Sequence, residues 1–135
     1  MPITPYKVFL ESDVMIPMRD GVRLATDIYF PAGVDGLQLE GKWPTLLVRT
    51  SYDKSAIEWD AVPVQYVEQG YVFVLQDLRS RYKSEGDGRY YHTCNPWDGD
   101  DGYDAVEWIA AQPWSDARVG MMGSSHRSIV QTQAA

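Results

Sequence analysis

The chain has 135 residues, of which 44% are hydrophobic, and this is enough for one domain with a buried core. A formal net charge of −7 argues against nucleic acid or an anionic membrane surface as a partner. The single cysteine, Cys94, excludes an internal disulfide and fits a reducing compartment. Because the sequence has neither a signal-peptide pattern nor an apolar run near the roughly 20 residues that span a bilayer, a soluble cytoplasmic protein is expected.

Two antiparallel strands are predicted at the start of the chain. Residues 8–18 mix apolar and polar side chains and include Pro17, which is typical of an edge strand. The Arg-Asp-Gly sequence at residues 19–21 predicts a hairpin turn, since Asp-Gly supplies the positive φ angles that such turns need. Residues 22–30 alternate between apolar and polar, which predicts a strand with one exposed face.

After a glycine-containing loop at residues 31–43, the apolar runs become short and lose their alternation, as expected for strands covered on both faces. Three such strands are predicted, at residues 45–48, 71–75 and 119–122. Helices are predicted at residues 60–69, 104–112 and 126–135. Two antiparallel strands followed by strand–helix units describe the front half of an α/β sheet, and no internal boundary divides residues 1–135.

The segment at residues 118–135 carries the pattern with the clearest chemical meaning. A strand leads into Gly123-Ser124-Ser125, and the residues after this turn can form a helix. A strand, a tight turn that bears a serine, and a helix are the layout of a nucleophile elbow. Ser125 is therefore the candidate nucleophile, with Gly123 as the small residue that a strained turn requires. The alternative is that Ser124 and Ser125 only cap the last helix.

Four stretches resemble the acyl hydrolases that include X-prolyl dipeptidyl peptidases, cocaine-esterase-like enzymes and α-amino-acid ester hydrolases. They are MRDGVRLATD at residues 18–27, VRTSYDK at 48–54, DLRSRYKSEG at 77–86, and DGYDAVEWI at 101–109 followed by GSS at 123–125. They follow the family's order along nearly the whole chain. The resemblance implies an α/β-hydrolase fold, of which residues 1–135 would be a single partial catalytic domain that ends after the nucleophile elbow.

The resemblance also implies roles for individual residues. Ser125 matches the family's nucleophile, Tyr52 matches the tyrosine whose hydroxyl helps to form the oxyanion hole, and the backbone N–H of His126 would be the second oxyanion donor. The chain departs from the family pattern at three positions: His126 replaces tyrosine, Ser128 replaces glycine, and Ser80 replaces the glycine usual after Asp-x-Arg. The backbone N–H at residue 126 survives the first exchange.

The acid and base of a catalytic triad are missing from this sequence. On this fold they follow the serine, but the residues after Ser125 include no Asp or Glu, and the one histidine there is adjacent to the serine. The strand at 119–122 would then have an open edge, so a C-terminal half or self-association is expected to cover it. The sequence predicts the nucleophile-bearing part of a serine hydrolase for a small ester, amide or peptide substrate. The alternatives are an inactive truncated homologue that binds a partner, and an unrelated small binding domain.

Other polar groups have structural interpretations. His92 is a weak candidate for a substitute base, and the acidic run at residues 98–104 does not have EF-hand spacing, so Asp101 is expected to cap a helix rather than bind Ca²⁺. Arg79, Ser84 and Glu85 are expected to form an exposed, ion-paired loop near Tyr52. No cofactor or metal is predicted.

Overall fold

The computed structural model describes residues 5–50, 53–55, 62–86 and 98–122. Their elements are strands β1 (Lys7–Pro17), β2 (Arg23–Ala32), β3 (Trp43–Thr50), β4 (Val72–Asp77) and β5 (Ser115–Met121), and helices α1 (Val62–Val67) and α2 (Asp98–Ala110). The strands form one sheet with the order β1-β2-β4-β3-β5. Neither described helix approaches the length and apolar character of a bilayer-spanning helix.

The first two strands form the predicted hairpin, and β1 lies at the edge of the sheet. Gly21 in the turn has a φ of 86°, which is the left-handed conformation that glycine adopts without steric cost. The antiparallel register is interrupted between Glu11 and Val14 by a bulge. Asp13 lies in this bulge with a φ of 55°, so its side chain is redirected relative to the regular pleat.

The prediction that β2 has an exposed face is wrong. Ala25 and Asp27, on the face expected to meet solvent, are both buried. The reason is that β2 lies between β1 and β4, and this face is covered by α1 and by a returning loop. The Ala25 N–H donates to Ser84 Oγ of that loop at 2.8 Å. The alternating polar residues of β2 therefore contact polar groups of the protein rather than water.

The three remaining strands are parallel, as predicted for the front half of an α/β sheet. β3 pairs with β4 on one side and with β5 on the other. Every residue of β4 is buried, which confirms that an apolar run without alternation marks a strand covered on both faces. β5 differs, because several of its side chains are exposed and no described strand pairs with its second edge.

The two helices pack on opposite faces of the sheet. Strand residues on one face form a core with α2, and those on the other face form a core with α1, because successive side chains of a strand point to opposite sides. The first core includes Ile28, Leu47, Val74 and Ile109. The second includes Val48, Val67, Phe73 and Leu75. This three-layer arrangement leaves the carboxyl ends of the parallel strands at one edge.

The helix boundaries were predicted less well than the helices themselves. α1 ends before Gly70, whose φ of 94° fits the expected C-terminal glycine, while the predicted start at residue 60 lies outside the described residues. α2 begins at Asp98, six residues before the predicted start at 104. Asp101 is consequently inside the first turn of α2, and the prediction that it caps the helix is wrong. The predicted helix at 126–135 lies outside the described residues.

Candidate active site

The carboxyl ends of three parallel strands meet at one edge of the sheet. Thr50 pairs with Asp77, and Leu47 pairs with Met121, so β3, β4 and β5 run in step toward this edge. The Met122 N–H continues the pairing by donating to the Leu47 carbonyl at 3.1 Å. In open α/β sheets, ligands bind beyond the carboxyl ends of the strands. The segments that leave β3 and β5 at this edge are those in which the sequence analysis places its candidate residues.

The three predicted site residues, Tyr52, Ser125 and His126, lie outside the described residues. His92, Cys94 and Ser128 lie outside them as well. Their roles accordingly remain predictions. The structure describes the residues next to them: the turn at residues 53–55 directly follows Tyr52, and the last described residue, Met122, precedes Ser125 by three positions.

The turn at residues 53–55 is fixed by its backbone. The Lys54 N–H donates to Asp77 Oδ1 at 2.8 Å, which ties the chain leaving β3 to the last residue of β4. Asp53 has a φ of 73°, and its Oδ1 accepts a hydrogen bond from the Ser55 N–H at 2.9 Å. A side chain that closes a turn on its own backbone in this way is characteristic of Asp in a left-handed conformation.

The Lys54 side chain is buried, with 2% of the residue exposed, and it is paired with two carboxylates. Its Nζ lies 2.6 Å from Asp13 Oδ1 and 2.9 Å from Asp27 Oδ1. Burial disfavours the ammonium, but the hydrogen bonds to Asp13 and Asp27 outweigh it, so the pKa of Lys54 is raised above its usual value. Asp13 also accepts a hydrogen bond from Lys83 at 3.0 Å, and these two lysines lower the pKa of Asp13. The two carboxylates therefore favour the charged form of Lys54.

Asp77 is completely buried at the end of β4. Burial raises its pKa to about 6, although the Lys54 amide and ammonium act in the opposite direction. Its Oδ1 accepts from Lys54, whereas its Oδ2 has no hydrogen-bond partner among the described residues. Asp77 was not predicted as a site residue, although a carboxylate two residues after the apolar run at residues 71–75 is a signal that could have identified it.

Arg79 is buried rather than exposed, which corrects the expectation of a surface ion pair. Its Nε and Nη2 donate to the two carboxylate oxygens of Asp101, both at 2.8 Å. Its guanidinium also donates to Asp20 in the β1–β2 turn, at 2.8 and 3.1 Å. Hydrogen bonding to Asp101 and then to Asp20 raises the pKa of Arg79 further above its normal range. One side chain thereby connects the hairpin turn, the loop after β4 and α2.

Ser84 and Glu85, the other two residues singled out in that loop, have separate partners. Ser84 is buried, and its hydroxyl donates to the Asp77 carbonyl at 2.6 Å. Glu85 forms an exposed ion pair with Arg23 at 2.8 Å, as expected for a surface contact. The loop is also closed by its backbone, since the Ser80 N–H donates to the Glu85 carbonyl at 2.8 Å. The predicted structural role for this loop fits these contacts.

A buried polar row crosses three strands near the same edge and was not predicted. Thr26, Gln76 and Arg49 are adjacent in the registers of β2, β4 and β3. The Arg49 Nε donates to Gln76 Oε1 at 3.0 Å, and Gln76 Nε2 donates to Thr26 Oγ1 at 3.1 Å. A row of this kind fixes strand register, because each polar group needs its neighbour in place.

No group of three or more His, Cys, Asp or Glu side chains within the described residues has the arrangement of a metal site. Asp101, in the acidic run at the start of α2, is bound by Arg79. Asp104 of the same run is bound by Arg19, whose Nη2 lies 2.8 Å from its Oδ1. These carboxylates therefore connect α2 to the hairpin and to the loop after β4.

The sheet order, the parallel strands and the two covering helices define the front part of an α/β hydrolase-like fold. The solved structures that the chain resembles have this fold. An α-amino acid ester hydrolase matches 99% of this chain at 31% identity with a TM-score of 0.72. A CocE/NonD family hydrolase from Staphylococcus aureus matches 92% of it at 27% identity with a TM-score of 0.73. In both cases the match covers 24% of the solved chain.

The family itself follows from the sequence match. Residues 20–135 match the model of the X-Pro dipeptidyl-peptidase family (S15 family), and the chain belongs to this family. The cocaine esterase of Rhodococcus sp. (strain MB1 Bresler) is 41% identical over 128 residues, which are 92% of this chain and 21% of the esterase. A putative serine esterase of Mycobacterium bovis is 32% identical, over 90% of this chain. The chain thus spans about a fifth of the length of these curated relatives, which are hydrolases.

Proposed function

We propose that residues 1–135 are the nucleophile-bearing part of a serine acyl hydrolase that cleaves an ester or amide bond. Ser125 is the nucleophile, and the Tyr52 hydroxyl and the His126 backbone N–H are the oxyanion donors. The observation that carries this proposal is the parallel pairing of β3 with β5, which directs the carboxyl ends of both strands to the same edge of the sheet. Leu47 is paired with Met121, so Tyr52 follows the paired position by five residues (52 − 47) and Ser125 follows it by four (125 − 121). The segments that follow β3 and β5, which carry Tyr52 and Ser125 in the sequence, therefore begin at the same edge of the sheet.

The chemistry assigned to these groups is acyl transfer. The Ser125 hydroxyl attacks the carbonyl carbon while a base takes its proton, and the carbonyl oxygen becomes an oxyanion that accepts hydrogen bonds from Tyr52 and residue 126. The intermediate then expels an alcohol or amine, which leaves protonated, and water hydrolyses the acyl-enzyme. Donors preorganised at an oxyanion are each worth about 10²- to 10³-fold in kcat.

The general base and its acid partner are assigned to polypeptide outside residues 1–135. The residues after Ser125 contain no acidic side chain, whereas on this fold both partners follow the nucleophile. Residues 1–135 alone are accordingly expected to have no esterase activity beyond a small residual enhancement.

The relatives favour an ester as the substrate, since their names describe a cocaine esterase, a putative serine esterase and an α-amino acid ester hydrolase. The family name also includes cleavage after proline in peptides, so an amide bond is the second substrate class. Either substrate would be a small molecule or a peptide.

We assign the protein to the cytoplasm, and assign it no cofactor.

A second candidate function is that of an inactive homologue that binds a partner. It is favoured by the altered elbow, in which Ser128 replaces a glycine of the family pattern, and by the second edge of β5, which no described strand covers. A hydroxymethyl group at a close helix–strand approach would cost on the order of 1–3 kcal/mol.

A fluorophosphonate probe distinguishes the two functions. The serine hydrolase predicts that Ser125 in the 1–135 chain stays unlabelled alone and becomes labelled when the chain is combined with the C-terminal part of the natural protein. The Ser125→Ala variant should abolish labelling, and Ser124→Ala is the matched control that should retain it. Absence of labelling in the combined protein would favour the inactive homologue.

A further inference from the structure

We propose that Lys54 is a positioning residue for the oxyanion hole, since its ammonium, bound by Asp13 and Asp27, holds the turn at residues 53–55, which directly follows Tyr52 in the sequence, against the sheet. This inference rests on the function proposed above, because it concerns the placement of Tyr52. It assigns a purpose to a lysine that is buried, with 2% of the residue exposed, and is two residues from the proposed oxyanion donor.

Two independent attachments fix this segment. The Lys54 backbone N–H is bound by Asp77 Oδ1 at 2.8 Å, at the end of β4. The Lys54 side chain extends in the other direction to β2 and β1, where its Nζ lies 2.9 Å from Asp27 Oδ1 and 2.6 Å from Asp13 Oδ1. Since the sheet order is β1-β2-β4-β3-β5, a residue that follows β3 is attached to all three strands on one side of it.

The bulge in β1 contributes one of the two carboxylates. Asp13 has a φ of 55°, and its N–H donates to Asp27 Oδ1 at 3.0 Å. A left-handed residue other than glycine costs about 1–2 kcal/mol. Bulges occur frequently beside active sites, where they redirect a side chain. Here the bulge brings the Asp13 carboxylate to Lys54, so an unfavourable backbone conformation has a local purpose.

Stability alone is a poor explanation for this arrangement. Burying an ammonium and a carboxylate has a desolvation cost that their attraction often only offsets, and apolar residues of similar size frequently serve equally well. Hydrogen-bonded ion pairs, in contrast, define direction and distance. Placement matters at a reacting centre, where a displacement of about 1 Å can cost 10²-fold in rate. The three attached strands would supply this placement for residue 52.

The test compares fluorophosphonate labelling rates of Ser125 in the full natural chain. Lys54→Gln removes the ammonium and should slow labelling by about 10- to 100-fold. If the lysine acts through Tyr52, Lys54→Gln should cause no further slowing in a Tyr52→Phe background, whereas a general loss of structure would slow it again. Multiplying losses in the double variant, or unchanged labelling in the single variant, would overturn the proposal.

The matched control is Lys83→Gln. The exposed Lys83 Nζ lies 3.0 Å from Oδ2 of the same Asp13, but Lys83 does not belong to the turn at residues 53–55. It should label at the rate of the unsubstituted chain. If Lys54→Gln does not fold, Asp13→Asn, at a half-exposed position, should give a smaller slowing in the same direction.

Hydrogen–deuterium exchange separates failure of this inference from failure of the proposed function. Lys54→Gln should accelerate exchange at residues 53–55, and Lys83→Gln should not. If the unsubstituted chain is never labelled at Ser125, the hydrolase function fails, but faster exchange in Lys54→Gln still supports the attachment. Unchanged exchange at residues 53–55 would overturn it.

Discussion

The guanidinium of Arg79 donates two hydrogen bonds of 2.8 Å to the carboxylate of Asp101, and both residues are almost fully buried. This bidentate ion pair joins the loop after β4 to the first turn of α2. Removing one partner leaves a buried charge without compensation, which typically costs about 3–5 kcal/mol. Arg79→Met should therefore lower the free energy of unfolding by about 3–5 kcal/mol, as measured by urea denaturation.

The Arg23–Glu85 pair provides the control, because it has the same chemistry at an exposed site. Arg23→Met should change the unfolding free energy much less than Arg79→Met does. Equal effects of the two substitutions would contradict the assignment of Arg79 as a buried connection between three elements.

The raised pKa of Asp77 predicts an unusual pH dependence of the unfolding free energy. Its pKa is raised to about 6 by burial, whereas the unfolded carboxyl has a pKa of 3.8. Between these values the folded state holds a proton that the unfolded state has lost, so the contribution of Asp77 to stability falls as the pH rises from about 4 to 6. Asp77→Asn should gain stability relative to the unsubstituted chain across this window, by up to about 3 kcal/mol. Urea denaturation at pH 4 and pH 7 measures this difference.

Asp116→Asn is the control with the opposite sign. The pKa of Asp116 is lowered by its hydrogen bond to Arg118, so its contribution is present above the unfolded pKa and disappears as the pH falls. This variant should lose stability relative to the unsubstituted chain as the pH rises from acidic values toward 5. A pH-independent difference for Asp77→Asn would show that the buried carboxyl does not titrate near pH 6.

Ser80 has a φ of 67°, a conformation that glycine adopts more easily. The family resemblance implies glycine at this position. Ser80 therefore adopts the left-handed conformation that glycine would favour. Ser80→Gly should raise the unfolding free energy by up to about 1 kcal/mol, since a left-handed residue costs about 1–2 kcal/mol and the added chain freedom of glycine removes part of the gain. Thermal unfolding should show a higher midpoint.

Two substitutions check the reason for that gain. Ser80→Ala retains a Cβ in the left-handed region and should not be stabilised. Gly86→Ala should be destabilised by at least about 1 kcal/mol, because Gly86 has a φ of 137° and an added Cβ would meet the Ser80 backbone nitrogen at 2.8 Å. If alanine at residue 80 stabilises as much as glycine, backbone strain is not the cause.

The strands were predictable because burial on both faces leaves a local trace. The apolar runs before Val48 and Leu75 lack alternation, and both lie in buried parallel strands. The polar alternation that includes Asp27 was misleading, since its partner is a lysine distant in the sequence. The same holds for Asp101, since its partner Arg79 lies 22 residues earlier in the chain. Local patterns report that a side chain is polar but not which distant group it meets.

The candidate site was predictable to the extent that motifs carry it. The resemblance named Ser125 and Tyr52, and the described strands bring their neighbouring segments to one edge of the sheet. It offered no role for Lys54 or Asp77, although both lie within the matching stretches. Their importance depends on how β1, β2 and β4 are arranged around the end of β3, which spacing along the chain does not contain.

The most direct test of the central claim is a crystal structure of the full natural chain after reaction with a fluorophosphonate. We predict a phosphonyl group on Ser125 Oγ, with the Tyr52 hydroxyl and the residue 126 N–H each about 2.7–3.1 Å from the phosphonyl oxygen. An unmodified Ser125, or an adduct in which the Tyr52 hydroxyl is beyond hydrogen-bond distance of that oxygen, would contradict it.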